Sequence, residues 1–207
     1  MSAPLTLALP KGRLTEQVLE LMESVGLKIE FEKRKLVAHD ADGRVSILLV
    51  KNADLPVYVH HGIAGLGVCG EDVLYEHGFP FVKLHTFGFG STAMCLAGRK
   101  GESVALKNGK MTVASKFTRF ARDYFHERGI PVEVVKLNGS VELAPVLGLT
   151  PYIVDLVETG NTLKANDLEV LEKLSDINVQ LVANPAYFKL RFQQIRDFVD
   201  TLSTESI

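Results

Sequence analysis

Short apolar runs alternate with helix-patterned segments along almost the whole chain. Residues 5–9 form an apolar run that predicts a strand, and a segment with apolar residues on one helical face follows it up to residue 25. The same succession recurs as far as a last predicted helix that begins near Phe188. Because strands that alternate with helices form mostly parallel sheets with helical cover, the pattern predicts an α/β fold.

Residues 88–91, with the sequence Gly-Phe-Gly-Ser, interrupt this alternation near the middle of the chain. Two glycines so close together favour a crossover or a hinge. We therefore expect two lobes with mostly parallel sheets around a cleft, which is the usual place for a ligand. Lobe I would comprise residues 1–90 and 184–207, because the last helix can return to the first lobe, and lobe II residues 91–183.

The composition argues against several classes of protein. Of the 207 residues, 46% are hydrophobic and 23% are charged, which is enough apolar material for a core. The net charge is −2 without a basic block, so no nucleic acid is expected as the main partner. No apolar run approaches the ~20 residues that span a bilayer, and the first ten residues lack the basic start of a signal peptide. A cytoplasmic protein without a membrane partner is expected.

The cysteines and histidines do not form a metal-binding pattern. Cys69 and Cys95 each lie within an apolar run, which favours buried and reduced thiols. The six histidines are scattered, apart from the adjacent pair at 60–61. Since no cysteine or carboxylate framework stands at ligand spacing, we predict no structural metal site.

The most informative stretch is an apolar run at 152–157 that ends at a small polar turn, Thr159-Gly160-Asn161-Thr162. A helix-patterned segment follows, with leucines at 163, 168, 171 and 174. Glycine lets the backbone approach a ligand closely, and a helix start offers unpaired N–H groups and a positive dipole end. The segment therefore predicts a phosphate site. Similar junctions in α/β proteins often bind nothing, so the local pattern alone leaves both interpretations open.

Two acidic residues, Asp155 and Glu158, stand beside this predicted anion site. Carboxylates repel phosphate, so they need another function, such as binding ribose hydroxyls or a magnesium ion. The chain has no Walker-type lysine, nucleophile elbow or glycosidase-like carboxylate pair. Catalysis by positioning and by charge stabilisation is therefore favoured over a covalent intermediate.

Other candidate residues lie in lobe I. Lys11-Gly12-Arg13 follows the first strand and opens a helix, where two cations around a glycine resemble an anion clamp. Two solvated charges are the alternative, although cations oppose the dipole at a helix start. Gly70-Glu71-Asp72 follows a glycine-rich strand, which suits close backbone packing or an adenine contact. Arg34 and Lys51 flank strands, and each alone is more often a solvated charge than a catalytic group.

Together these motifs resemble the ATP phosphoribosyltransferase family in its short form. The likeness covers essentially the whole chain, through Leu-Pro-Lys-Gly-Arg at 9–13, Arg-Lys-Leu at 34–36 and Gly-x-x-Gly-Glu-Asp-Val-Leu at 67–74. The family signature matches Glu142, Gly148, Asp155, Thr159, Gly160, Thr162 and Leu163. The departures are Thr150 in place of Ser, Ala or Gly, Lys51 in place of a frequent Arg, and Thr92-Ala93 in place of a Cys and a basic residue.

The resemblance implies that N1 of ATP attacks C1 of phosphoribosyl pyrophosphate and that pyrophosphate leaves, as the first step of histidine biosynthesis. It implies a fold like that of type II periplasmic binding proteins and magnesium that the substrate carries, near Asp155. It also implies a homodimeric core that joins a regulatory subunit related to histidyl-tRNA synthetase. The donor would contact Glu142, Asp155, Glu158, Thr159, Gly160, Asn161, Thr162 and Leu163. ATP would contact Lys11, Gly12, Arg13, Gly70, Glu71 and Asp72, and the catalytic cations would be Arg34, Lys51 and Lys11.

Two other classes remain open. A solute-binding protein of two α/β lobes would share this fold but normally carries an export signal, which residues 1–10 do not resemble. A phosphoribosyltransferase for another base would share the donor site. Formation of an adduct from ATP and phosphoribosyl pyrophosphate separates the three hypotheses.

Overall fold

The computed structural model describes residues 3–106 and 109–203. Its strands are β1 (Leu5–Pro10), β2 (Val37–His39), β3 (Val45–Val50), β4 (Leu66–Gly70), β5 (Val82–Arg99), β6 (Met111–Ser115), β7 (Val132–Lys136), β8 (Tyr152–Val157) and β9 (Leu168–Ala183). Its helices are α1 (Arg13–Ser24), α2 (Leu55–His60), α3 (Glu71–His77), α4 (Thr118–Glu127), α5 (Leu143–Val146), α6 (Asn161–Ala165), α7 (Pro185–Leu190) and α8 (Phe192–Ser203). Within the described ranges, no helix is long and apolar enough to cross a membrane.

The chain divides into two compact units. The first comprises Met1–Gly90 with Asn178–Ile207, and the second comprises Ser91–Ile177. The chain passes from one to the other within β5 and returns within β9. The return falls at Asn178 rather than at the expected residue 184, because β9 continues without a break into residues 179–183, which pair with β4.

In the first unit the strands lie in the order β2-β3-β1-β4-β9. β1 is parallel to β3 and β4, whereas β2 and β9 are antiparallel to their neighbours. Successive side chains of a strand face opposite sides of the sheet. Leu7 and Leu9 therefore pack in the core that α1 and α8 cover, while Ala8 packs with α2 and α3. Loops that follow the parallel strands meet at one edge, where ligands bind in such sheets.

In the second unit the order is β9-β5-β8-β6-β7, with β6 parallel to both β7 and β8 and with β5 antiparallel to β8. Val113 of β6 belongs to the core formed with α4, and Ala114 belongs to the core formed with α5 and Leu163. Parallel central strands with helices on both faces confirm the predicted α/β fold. The antiparallel members are the long strands β5 and β9 and the short hairpin strand β2.

The helix predicted after the polar turn is wrong beyond its first turn. α6 ends at Ala165, and Leu168 already begins β9. Asn166 closes the helix, since its backbone N–H donates to Leu163 O at 3.0 Å and its side chain donates to Thr162 O at 2.9 Å. Asp167 then turns the chain with a left-handed φ of 55°. The leucines imitate a helical spacing, but pairing with β5 favours a strand, and tertiary context overrides such local patterns.

Residues 88–91, which the sequence predicted to form a crossover or a hinge, lie within a single strand. β5 runs through them from Val82 to Arg99. Gly90 has a left-handed φ of 70° within this strand, and it is the last residue of the first unit before Ser91. The boundary between the two compact units falls at this point, and a hinge movement there stays a prediction.

Candidate active site

A cavity of about 270 Å³ opens in the second unit at the carboxyl end of β8. It contains every residue that the sequence predicted for the phosphoribosyl donor. The side chains that line it are Cys95, Ala97, Glu142, Ile153, Asp155, Leu156, Val157, Glu158, Thr159, Gly160, Asn161, Thr162 and Leu163. Residues from three separate stretches of sequence therefore converge on one cavity.

The polar turn is held in shape from both of its ends. Gly160 adopts a left-handed φ of 71°, a conformation in which other residues are strained. Its carbonyl accepts the Lys164 N–H at 3.0 Å, and Leu163 is buried in the core beneath. Because α6 has only five residues, the groups that this turn offers to an anion are its N–H groups and threonine hydroxyls rather than a long helix dipole.

Asp155 is the half-buried acid of the cavity. Its Oδ1 accepts the backbone N–H of Leu156 at 2.9 Å. Burial raises the pKa of Asp155, and nearby Glu142 raises it further, whereas the Leu156 N–H and the charge of Lys116 lower it, with a net increase. Because burial makes this carboxylate costly to ionise, a cation or a hydroxyl group of a ligand would stabilise its charged form.

The loop before β8 places Glu142 at the same cavity. Glu142 directly precedes α5, whose Ala144 is buried in the core beside Leu163. Gly148 continues the loop with a left-handed φ of 76°. Thr150, which departs from the family pattern, is buried and donates its hydroxyl to Tyr152 O at 2.8 Å. The Thr150 hydroxyl thus adds a hydrogen bond at the start of β8.

Sequence reasoning missed two residues near the cavity, Lys116 and Cys95. Cys95 lines the cavity, and it pairs with Asp155 in the register of β5 and β8. Lys116 follows β6, and its charge acts on Asp155. The signal for Lys116 was available, because a cation between a strand and a helix is the same pattern that selected Lys11. For Cys95, only the strand pairing reveals its place.

In the first unit the structure brings the predicted cations to one edge of the sheet. Pro10 and Val50 are register partners at the carboxyl ends of β1 and β3, and the Lys11 N–H donates to Val50 O at 3.0 Å. Lys51 follows Val50 directly, so Lys11 and Lys51 leave adjacent strands side by side. Gly12, with a φ of 122°, then turns the chain into α1.

Arg34 lies at this same edge. It stands in a tight turn closed by the Lys35 N–H, which donates to Glu32 O at 3.0 Å, just before β2. The Leu49 N–H donates to Leu36 O at 2.8 Å, so the start of β2 lies beside the end of β3. Arg34 is exposed and has a left-handed φ of 68°. Such a backbone is unusual for a residue with a side chain, and strained residues of this kind cluster at functional sites.

The third predicted segment of this edge, Gly70 to Asp72, joins the end of β4 to the start of α3. Glu71 Oε1 accepts the Lys83 ammonium at 2.8 Å and Gln180 Nε2 at 3.2 Å. Burial acts to raise the pKa of Glu71, but the hydrogen bonds from Lys83 and Asn178 outweigh it and lower that pKa. The Glu71 carboxylate is thus already hydrogen-bonded to side chains of its own unit, and the side chain of Asp72 is buried. Direct contacts of the two acids with ATP stay a prediction.

Across residues 3–106 and 109–203, no group of three or more His, Cys, Asp or Glu side chains is arranged to hold a metal ion. The cavity nevertheless presents the carboxylates of Glu142, Asp155 and Glu158. Magnesium prefers a few carboxylates together with phosphate oxygens and water. These residues therefore fit an ion that arrives bound to a substrate.

Comparison with known proteins identifies the family. The family model of HisG, described as ATP phosphoribosyltransferase, matches residues 51–204. The chain belongs to the ATP phosphoribosyltransferase family. An ATP phosphoribosyltransferase of Caldicellulosiruptor bescii is 47% identical over 203 residues, which are 96% of this chain and 97% of the relative. One of Clostridioides difficile is 39% identical over 197 residues, 94% of this chain and 95% of the relative. The match to relatives of this length confirms the predicted short form.

Solved structures agree with this assignment. The ATP phosphoribosyl transferase (HisG:HisZ) complex from Thermotoga maritima contains a chain with a TM-score of 0.84 and 34% identity, and the match covers 97% of both chains. The periplasmic aliphatic sulphonate binding protein SsuA from Escherichia coli has a TM-score of 0.64 at 12% identity, over 99% of this chain and 72% of that one. The second likeness shows the fold alone, and it confirms the predicted resemblance to periplasmic binding proteins.

Proposed function

We propose that this chain transfers the phosphoribosyl group of phosphoribosyl pyrophosphate to N1 of ATP and releases pyrophosphate. The reaction is a pentosyl transfer and the first step of histidine biosynthesis. The observation that carries the proposal is the cavity of the second unit, which is lined by all the residues expected to bind the donor in a chain of this family.

The turn at 159–162 binds the 5′-phosphate of the donor through its N–H groups and through the hydroxyls of Thr159 and Thr162. Gly160 leaves room for this close approach. Asp155, with Glu142 and Glu158, binds the ribose hydroxyls and the magnesium that the donor carries. When bound there, magnesium would supply Lewis-acid polarisation of the pyrophosphate, and these carboxylates would help to hold it. This division explains why acids stand beside an anion site.

The edge of the first unit binds ATP through Lys11, Gly12, Arg13 and the segment at 70–72. Negative charge develops on the leaving pyrophosphate in the transition state, and fixed cations stabilise it. Arg34, Lys51 and Lys11 are the groups to which we assign this function. In this proposal the ATP side is the first unit, residues 1–90 with 178–207, and the donor side is the second unit, residues 91–177.

We also propose that the chain forms a homodimeric core and joins a regulatory subunit related to histidyl-tRNA synthetase in the cytoplasm. The support is the Thermotoga maritima relative, which was solved as a HisG:HisZ complex. Gel filtration of the two chains after co-expression tests this. A shared peak is expected, and separate elution with every combination of ligands would contradict the proposal.

The catalytic proposal is tested by mixing the chain with ATP, phosphoribosyl pyrophosphate and magnesium and by following the absorbance of the N1 adduct. Formation of adduct is expected, at least when the regulatory partner is present. Absence of adduct with and without the partner would refute the proposed reaction. An adduct that forms only when a free base replaces ATP would indicate a phosphoribosyltransferase for that base.

A further inference from the structure

The cavity of the second unit is acidic, although its proposed ligand is strongly anionic. Three carboxylates line it, those of Glu142, Asp155 and Glu158, and none of the described lining residues is Lys or Arg. Phosphoribosyl pyrophosphate carries a 5′-phosphate and a pyrophosphate, and the pyrophosphate gains charge as it leaves. Substrate-bound magnesium neutralises part of this charge. A cationic side chain just outside the residues that line the cavity would stabilise the remaining negative charge.

Lys116 stands at the required place in the sheet. β6 and β8 are parallel, with Val113 paired to Tyr152 and Ala114 paired to Ile153. Two more residues along this register bring Lys116 opposite Asp155, on strands that lie roughly 5 Å apart. Lys116 thus follows the carboxyl end of β6 in the same way that the donor loop follows the carboxyl end of β8.

The backbone on each side of Lys116 is fixed. The fully buried Ser115 donates its hydroxyl to Val154 O at 2.6 Å, next to Asp155 in sequence. The same hydroxyl accepts the Phe117 N–H at 2.9 Å. One buried serine therefore ties the Lys116 turn directly to the strand that carries the donor-binding acid.

The side chain of Lys116 is available to a ligand. It is exposed, and its Nζ lies 4.6 Å from the centroid of the Phe117 ring. No carboxylate of the described residues forms a salt bridge with it. Its charge nevertheless lowers the pKa of Asp155, so the ammonium is electrostatically coupled to the cavity. A lysine with a flexible stem can bind phosphate oxygens as a point charge.

We propose that Lys116 is a further catalytic residue, whose ammonium binds the pyrophosphate of the donor and stabilises the charge that develops as pyrophosphate leaves. This inference rests on the proposed function. The turn at 159–162 already accounts for the 5′-phosphate, so pyrophosphate is the remaining anion of the donor. In the step itself, the N1 lone pair of ATP forms the N1–C1 bond while the C1–O bond breaks. The electron pair of that bond departs on the pyrophosphate oxygen, and Lys116 keeps its proton throughout.

The experiment compares Lys116→Met and Lys116→Arg with a matched control, Lys110→Ala. Lys110 is also exposed and precedes the same strand β6 at its opposite end, where it pairs with Glu133. Calorimetry with magnesium pyrophosphate measures the affinity directly, and steady-state kinetics measure kcat and KM for the donor. We expect Lys116→Met to weaken pyrophosphate binding and lower kcat/KM by about tenfold or more, as for loss of a charged hydrogen bond. Lys116→Arg should recover part of the pyrophosphate affinity and part of kcat/KM. In Lys110→Ala, both quantities should stay within about twofold of the values of the parent chain.

The binding and kinetic readouts separate this inference from the proposed function. Unchanged pyrophosphate affinity and unchanged kcat/KM in Lys116→Met would overturn the role of Lys116, even if the parent chain makes the adduct. A parent chain that makes no adduct refutes the reaction instead, and the pyrophosphate titration then still decides whether Lys116 binds this anion. Equal losses in the Lys110 control would indicate a general charge effect and would also overturn the assignment.

Discussion

At the scale of single residues, Asp155 shows how the site departs from the rules of a stable core. Its carboxyl is half-buried, and burial raises its pKa. An acid whose pKa is higher in the folded than in the unfolded chain destabilises the fold as the pH rises through those values. The residue therefore lowers stability at neutral pH, which is typical of functional groups held in a pre-formed site.

Asp155→Asn should consequently separate stability from activity. We expect kcat/KM to fall about a hundredfold or more, because a charged contact to ribose or magnesium is lost at the reacting centre. The free energy of unfolding at pH 7 should stay the same or increase. Asp176→Asn is the control, since Asp176 lies on an exposed part of β9 in an ion pair with Lys173. Full activity of Asp155→Asn would remove Asp155 from the mechanism.

Arg34 is the second residue whose local structure indicates a function. Its left-handed φ of 68° is energetically unfavourable for a residue with a Cβ atom. We expect Arg34→Ala to lower kcat by about tenfold or more, as for loss of a transition-state contact. Lys35→Ala tests the specificity, because Lys35 belongs to the same turn and pairs with Glu32. A turnover that does not change in Arg34→Ala would exclude this arginine.

At the scale of elements, Glu71 joins the start of α3 to β5 and β9. Its carboxylate accepts hydrogen bonds from Lys83 of β5 and from Asn178 and Gln180 of β9. The side chain of Glu71 is only 26% exposed, so these bonds are partly shielded from water. They position Gly70 and Asp72 at the edge of the sheet to which we assign ATP. Glu71 is therefore expected to contribute to stability as well as to any contact with a ligand.

Its contribution should depend on pH in a definite direction. The pKa of Glu71 is lower in the fold than its ordinary value of 4.5, so the stabilisation is present above that value and is lost as the pH falls through the folded pKa. Urea unfolding should show Glu71→Gln to be less stable than the parent chain by about 1 kcal/mol at pH 7, with the difference vanishing in acid. Glu20→Gln, on an exposed position of α1, should show no such trend. A constant difference at all pH values would contradict this explanation.

At the scale of the whole molecule, two long strands carry the chain between its units. β5 leaves the first unit at Gly90, and β9 returns to it at Asn178. Gly90 combines a left-handed φ with close packing, since a Cβ atom there would stand 2.9 Å from Val179 Cγ2. Gly88, two residues earlier, has open space around it and no such φ. The same residue type thus has different structural importance at two neighbouring positions.

Alanine substitutions test this difference. Gly90→Ala should lower the free energy of unfolding by about 2 kcal/mol, through backbone strain and overpacking against Val179. Gly88→Ala should change it by less than about 0.5 kcal/mol. Chemical denaturation of both variants measures the two values. Equal stabilities would show that Gly90 is not constrained by the packing of the first unit.

Local sequence information was sufficient where neighbouring residues decide the structure. The run at 152–157 is a strand because all but Asp155 are apolar and because Ile153, Val154 and Val157 are β-branched. Gly160 is left-handed because only glycine adopts that conformation without strain. The motifs at 9–13, 34–36, 67–74 and 142–163 were together specific enough to predict the family, which the comparisons confirm. These features depend on short-range sterics and on the chemistry of a site, and residues that are adjacent in the chain determine both.

Tertiary structure alone decided what depends on distant partners. Residues 168–174 have a helical spacing of leucines, but they form β9 because β5 offers its unpaired edge to them. Cys95 lines the cavity and Lys116 lies near it because β5 and β6 flank β8, an order that no local pattern reveals. The sequence by itself therefore determined the family, the fold class and the local shape of the turn at 159–162. The pairing of strands far apart in the chain decided which other side chains surround that turn, since backbone hydrogen bonds between strands depend on register rather than on neighbouring residues.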